Sequence, residues 1–359
     1  MRSLTLAAFV CWLLVACAPA AAPPQPAPAP AAAQAAAPSA SAAPPQPPAA
    51  AAPPPRERIK VSFASDTAVY APFFVALDKG YLAEEGIEVE AVQAGGGAAT
   101  PALISGDLNY STSAATSVSA ILKGAPLKVI FTNADRPMDE LWAITPDVAT
   151  LADLAGKTVG VQSRGDTMEI ETRLVLMQHG LDPNAVGYSA VGVGGQRLAA
   201  LQAGAVAAAI LTAAEAVELR DALPQGRLLA NVREEVQMLY MGVATTDAEL
   251  EGHRDRAKRY LRAVVKGREY AKAFRDETID VLGQHNQAAR KANEIDYDLT
   301  LPALTEDGSI APEIQRRDTA LRAEINGLEQ YPGPDQIYDY SLVQEIYAEL
   351  RASGWRPTR

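Results

Sequence analysis

Two stretches about a hundred residues apart, residues 102–108 (ALISGDL) and 200–206 (ALQAGAV), constrain this chain more than any other feature. Each reads as a helix end stopped by glycine and followed directly by an apolar run. Leu103 lies 40 residues after Phe63, and Leu201 lies 40 residues after Val161, so each helix end stands at the same distance from a preceding strand. The unit is too long, and its copies too few, for a solenoid. It fits two similar α/β lobes facing each other.

The first copy opens with Ile59, Val61 and Phe63 alternating with Lys60, Ser62 and Ala64, the pattern of a half-buried strand. Pro72 suits the first turn of a helix and Gly80 its end. Ile87, Val89 and Ala91 then alternate with Glu88 and Glu90, completing a βαβ unit whose crossover should be right-handed. Gly95–Gly97, a short helix ending at Ser105-Gly106 and a strand over 108–111 follow. In the second copy a strand over 158–161 leads through the loop Gln162–Gly165 to Asp166 and Glu169, spaced as a capping box for a helix running to His179-Gly180. Further strands are expected over 188–191 and 206–211, separated by the loop Gly192–Gly195 and a helix ending at Ala203-Gly204.

Residues 141–144 and 240–243 flank the second copy and read as crossing strands. They divide the chain into lobe 1 (57–143 and 243–359) and lobe 2 (144–242). Helices are expected over 254–274, 277–292, 312–328 and 341–353, returning to cover lobe 1.

The first residues set the compartment. Arg2 precedes an apolar run from Leu4 to Ala16, which is too short to span a bilayer and reads as a secretion signal over 1–16. Leu14-Val15-Ala16-Cys17 looks like a bacterial lipobox, with Cys17 the lipidated residue; an ordinary signal peptide is the alternative. Residues 18–55 contain only Ala, Pro, Gln and Ser, with 14 prolines. Such a segment cannot bury a core, and at polyproline rise it would reach on the order of 100 Å from the anchor. Cys11 lies inside the signal, so the folded part carries no cysteine chemistry. The net charge of −11 argues against nucleic acid as a partner. An extracytoplasmic, lipid-anchored monomer is expected.

Ligand contacts are sought in the loops at strand ends. Tyr70, Phe73, Tyr110, Trp142, Tyr188 and Tyr240 are the candidate stacking faces, with Phe73 also readable as core through its i,i+4 spacing to Leu77. Asp66, Asn133, Gln162, Asp166 and Thr212 are placed to read polar ring edges, and Ser113 and Thr167 add hydroxyls. Arg136 and Arg164 are the cations positioned for an anion. No reaction centre is evident. His179, His253 and His285 form no metal pattern and read as surface residues, the acidic pairs Glu84-Glu85 and Glu234-Glu235 read as turn or surface charge, and neither glycine loop is followed by a phosphate-binding Gly-Lys-Ser/Thr. No metal or cofactor is expected.

The strings APFFVALDKGYLAEEGIEVE, ALISGDLNYSTSAATSVSAILKGAPLKVI and LADLAGKTVGVQSRGD resemble solute-binding proteins of ABC importers, in the group handling nitrate, sulfonates, thiamine pyrimidine precursors and riboflavin. The resemblance covers roughly 57–275. It implies a two-lobed, type II periplasmic-binding-protein fold, each lobe a mixed α/β sheet flanked by helices, with ligand in the interlobe cleft and a permease with its ATPase as partners. Pyrimidine synthases share this resemblance but carry cysteine-rich and histidine motifs that are missing here, so a non-enzymatic binder is expected; a sensor lipoprotein is the other alternative. Thiamine-pyrimidine relatives have a Trp and a Pro-Asn before the first helix, where this chain has Ser65-Asp66-Thr67. The resemblance therefore implies a planar heteroaromatic ligand with riboflavin first, ahead of a thiamine pyrimidine precursor, an alkylsulfonate or nitrate.

Overall fold

A computed structural model describes residues 56–192 and 195–359. The expected signal peptide, Cys17 and the tether up to Pro55 lie outside the described residues. Among the described residues ten strands form two five-stranded sheets: β1 (Glu57–Phe63), β2 (Ile87–Gln93), β3 (Tyr110–Ser111), β4 (Leu127–Ala134), β5 (Glu140–Ala143), β6 (Thr158–Val161), β7 (Gly187–Ala190), β8 (Ala208–Leu211), β9 (Arg227–Asn231) and β10 (Met241–Thr246).

The repeat is a repeat of topology. The sheet orders are β2-β1-β3-β10-β4 and β7-β6-β8-β5-β9. In each, three parallel strands are followed by one antiparallel strand, β10 or β5, that enters from the other copy's stretch of sequence. Parallel strands need covered faces, and β8 is accordingly buried along its whole length. The two sheets carry separate cores, one centred on Val61, Phe74 and Val129, the other on Val159, Val175 and Ile210.

Three boundaries differ from the expected ones. Residues 141–143 are not a crossing segment: β5 pairs with β8 and β9, so it belongs wholly to the second sheet. The crossings lie at 135–139 and 236–240, where Met238 N–H donates to the Asp135 carbonyl at 2.8 Å and Tyr240 N–H to Ala134 at 3.2 Å. The helix expected over 277–292 is two helices, Arg275–Asn286 and Arg290–Thr300, because Gln287 adopts a left-handed φ of 54° and turns the chain. The third strand is only two residues long.

Helices after residue 246 fasten the molecule. Asp247–Ala273 lies on Ala71–Asp78 so closely that a Cβ at Gly267 would sit 2.2 Å from the Pro72 carbonyl oxygen. Pro312–Ile325 bridges the lobes: Leu321 and Ile325 pack on the second core, while Arg322 donates to the carbonyls of Ala115 and Leu239. His179 is exposed, as expected, and His285 is half-buried, contrary to the surface reading; both are engaged. His285 stacks on Phe74 at 4.3 Å and meets Asp78 at 3.0 Å, and His179 meets Glu235 at 2.8 Å. Glu84 and Glu85 are likewise paired, with Lys266 at 3.0 Å and Arg262 at 2.8 Å. Among the described residues no helix is long and apolar enough to cross a membrane.

Candidate ligand-binding cleft

A cleft of about 610 Å³ opens between the lobes at the carboxyl ends of their parallel strands. This is where open α/β sheets present their loops, and the volume suits a small molecule. The first lobe contributes Ala64, Ser65, Thr67, Val69 and Tyr70 after β1, Gly95 to Ala98 after β2 and Thr112, Ser113, Ala115 and Thr116 after β3. The second contributes Gln162, Ser163, Asp166, Thr167 and Met168 after β6 and Thr212 after β8. Asp139 and Tyr240 enter from the crossing segments.

Seven of the residues singled out from sequence line this cleft: Tyr70, Ser113, Gln162, Asp166, Thr167, Thr212 and Tyr240. Tyr70 caps the helix Ala71–Asp78 and is half-buried. Asp166 also caps the helix that follows it, accepting from Glu169 N–H at 3.0 Å and from Ser163 N–H at 2.7 Å, so its carboxylate is engaged within its own loop. Thr212 begins the next helix in a capping box with Glu215.

The other eight stand elsewhere; Arg136 lies outside the cleft lining, 4.0 Å from Asp135. Phe73 is core, packed against Phe63 and Phe74 with ring centroids 6.0 and 5.5 Å away. Tyr110 points into lobe 1, stacking on Tyr260 at 4.3 Å and donating to Glu249 at 2.5 Å. Trp142 faces away from the cleft, its indole N–H on Glu140 and its ring under the Arg220 guanidinium. Tyr188 donates to the Pro183 carbonyl beneath Arg173, and burial pushes its hydroxyl up to about 12. Asn133 is fully buried and holds the Val69 carbonyl at 2.8 Å. Asp66 presents its carbonyl to Asn286, and Arg164 reaches back to the Tyr188 carbonyl and Glu169. Alternation and loop position cannot tell which way an aromatic at a strand end points; packing against a helix decides it.

Three charged residues of the cleft escaped the sequence reading: Asp139, Glu171 and Arg197. Glu171 lies one turn beyond Thr167, where the expected loop ended, and a carboxylate amid Met168, Ile170, Thr172 and Leu174 was the available signal. Arg197 is 2 % exposed and paired with Glu215 at 2.5 Å, while donating to the Gly192 carbonyl at 3.1 Å. Asp139 receives the Tyr240 hydroxyl at 3.4 Å. Burial raises the Asp139 carboxyl from 3.8 to about 6. Glu171 is pushed well above the ordinary carboxylate range, first by burial and then by the charge of Asp139. Buried Ser113 Oγ and Arg197 Nε at the cleft have no partner within the protein, and Glu171 meets no donor except the Asp139 carboxyl. Buried polar groups are normally satisfied, so these mark a surface made to meet something else. Among the described residues no cluster of His, Cys, Asp and Glu suits a metal ion.

The two facing lobes, the interchanged antiparallel strands and the cleft between them define a two-lobed periplasmic-binding-protein fold. The chain belongs to the NMT1/THI5-like family, whose model matches residues 67–278. Among curated proteins no sequence match was found. Solved structures similar in fold include the ligand-binding component of an ABC-type import system from Staphylococcus aureus, solved with zinc bound, at 16% identity and a TM-score of 0.63, covering 81% of this chain and 99% of that one. The periplasmic aliphatic sulphonate-binding protein SsuA from Escherichia coli is 17% identical with a TM-score of 0.61, over 86% of this chain and 94% of that one. The desulfurization enzyme DSZB is also similar, at 16% identity and a TM-score of 0.59, covering 82% and 99%. The fold thus serves both binding and catalysis, and the site has to distinguish them.

Proposed function

We propose that this protein is the solute-binding component of an ABC importer, held outside the cytoplasmic membrane by lipid on Cys17 and closing its two lobes on a small planar heteroaromatic nutrient. One observation carries the reading: an interlobe cleft walled by Tyr70 and Tyr240 and edged with buried polar atoms that have no partner in the protein. Aromatic walls supply stacking area, and a few convergent polar groups supply specificity. A binder rather than an enzyme is supported by the residues at hand. The cleft hydroxyls that meet an acid, Ser163 on Asp166 at 3.4 Å and Thr212 on Glu215 at 2.9 Å, are tied up in the caps of their own helices, and Ser113 Oγ meets no base.

Riboflavin is the first ligand to test and a thiamine pyrimidine precursor the second. Sulfonate binding is a second reading, favoured by Arg197, the single guanidinium among the described residues of the cleft lining, and by the name of the Escherichia coli structure. Against it, Arg197 is already matched by Glu215, and Asp139, Glu171 and Asp166 line the same cleft.

Titration of the full-length protein with riboflavin, 4-amino-5-hydroxymethyl-2-methylpyrimidine and taurine tests the reading. Quenching of flavin fluorescence at a 1:1 ratio is expected. Tight binding of taurine with no response to either heterocycle would overturn the heteroaromatic assignment. Uptake of the bound solute should fail in cells lacking the protein; uptake that persists while binding is intact would point to a sensor instead.

A further inference from the structure

Glu171 is fully buried and lines the cleft, and it meets no donor other than the Asp139 carboxyl, with which it can share a hydrogen bond only while one of the two is protonated. Asp139 is 1 % exposed on the same wall. The charged and titratable groups facing this pair come from several elements: Asp166 from the loop after β6, Arg197 and Glu215 from the two helices that follow β7 and β8, Tyr70 and Tyr240 from the cleft walls, and Arg322 from the bridging helix. Neither guanidinium is free to neutralise it. Arg197 is matched by Glu215 at 2.5 Å, and Arg322 by Asp318 at 2.9 Å. Two buried carboxyls without a cation cannot both ionise, and they hold a proton until a positive partner arrives.

We propose that Asp139 and Glu171 together form a recognition point for a cationic nitrogen group on the ligand, so that the cleft selects cations over anions of the same shape and, of the two heterocycles named above, favours the protonatable aminopyrimidine over neutral riboflavin. This rests on the cleft being the ligand site, as argued above. As Glu171 releases its proton to solvent the bond it shares with Asp139 is lost, and the N–H groups of such a cation would supply the donors the ionised pair then lacks while its charge compensates both. An anion would meet two acids and an arginine that is already paired.

Three probes sharing one ring decide the matter: benzamidine (cation), benzamide (neutral) and benzenesulfonate (anion), titrated calorimetrically into the full chain at pH 7.5. Benzamidine should bind about tenfold or more tighter than benzamide, with benzenesulfonate weakest. Glu171→Gln and Asp139→Asn, each close to isosteric, should each abolish that preference, with folding checked by circular dichroism. If one variant fails to fold the other is read, and if both fail the wild-type series decides. Absence of benzamidine binding, benzenesulfonate binding as tightly as benzamidine, or a preference that survives both substitutions would overturn the assignment. Tyr70→Ala separates the two claims. Probe binding that it leaves unchanged lies outside the cleft and counts against the cleft reading itself. Binding that it weakens, but that has no charge preference, overturns the carboxylate assignment alone.

Discussion

Arg322 donates to the Leu239 carbonyl at 3.1 Å, and through that bond a helix near the end of the chain grips the segment that crosses between the lobes. The same guanidinium holds Ala115, at the cleft end of the first lobe, and its buried counter-ion Asp318. Removing it leaves Asp318 buried without a cation. Arg322→Met is expected to destabilise the protein by about 3–5 kcal/mol, measured by urea unfolding. A change below about 1 kcal/mol would mean that the bridge is not structural.

Tyr70 and Phe73 stand three residues apart and should respond oppositely. Phe73 is 1 % exposed in the first core, so Phe73→Ala should cost about 3–5 kcal/mol of stability. Tyr70→Ala should leave stability nearly unchanged and weaken ligand binding about tenfold, or roughly 1.4 kcal/mol. Paired melting and titration curves check both, and unaltered affinity in Tyr70→Ala would remove that side chain from the cleft wall.

Asp139 and Asp296 give the unliganded protein a defined pH response. Burial raises each carboxyl from 3.8 to about 6 in the fold. Between those values the folded chain binds more protons than the unfolded one. Their stabilising contribution is therefore complete below about pH 4 and is lost as pH rises through about 6. Asp296→Asn should flatten the fall in melting temperature across that interval. A slope as steep as that of the wild type would assign the effect to other groups.

Gly267 has a single steric reason to be glycine. A Cβ there would meet the Pro72 carbonyl oxygen at 2.2 Å and the Ala76 nitrogen at 2.9 Å, both backbone atoms that cannot rotate away. Gly267→Ala is expected to destabilise by about 1–3 kcal/mol, although alanine is the better helix former. A stabilised variant in thermal melts would show that the two helices can separate without loss.

The sequence by itself determined the repeated α/β unit, the helix stops at Gly106 and Gly204, the cap at Asp166 and the loops from which Tyr70, Gln162 and Thr212 reach the cleft. These are local properties: periodicity, capping chemistry and glycine's freedom at positive φ act over a few residues, so they can be read without the fold. Only the tertiary structure decided where the chain crosses. The apolar run over 141–143 pairs as well within a sheet as between sheets, and the choice was made by β8 and β9. Tertiary packing also turned Tyr110 onto Tyr260, Trp142 under Arg220 and Tyr188 beneath Arg173, away from the cleft. It brought Asp139, Glu171 and Arg197 together as well. Charges on separate elements become one electrostatic site only when burial removes the water between them, and a linear sequence carries no record of where that happens.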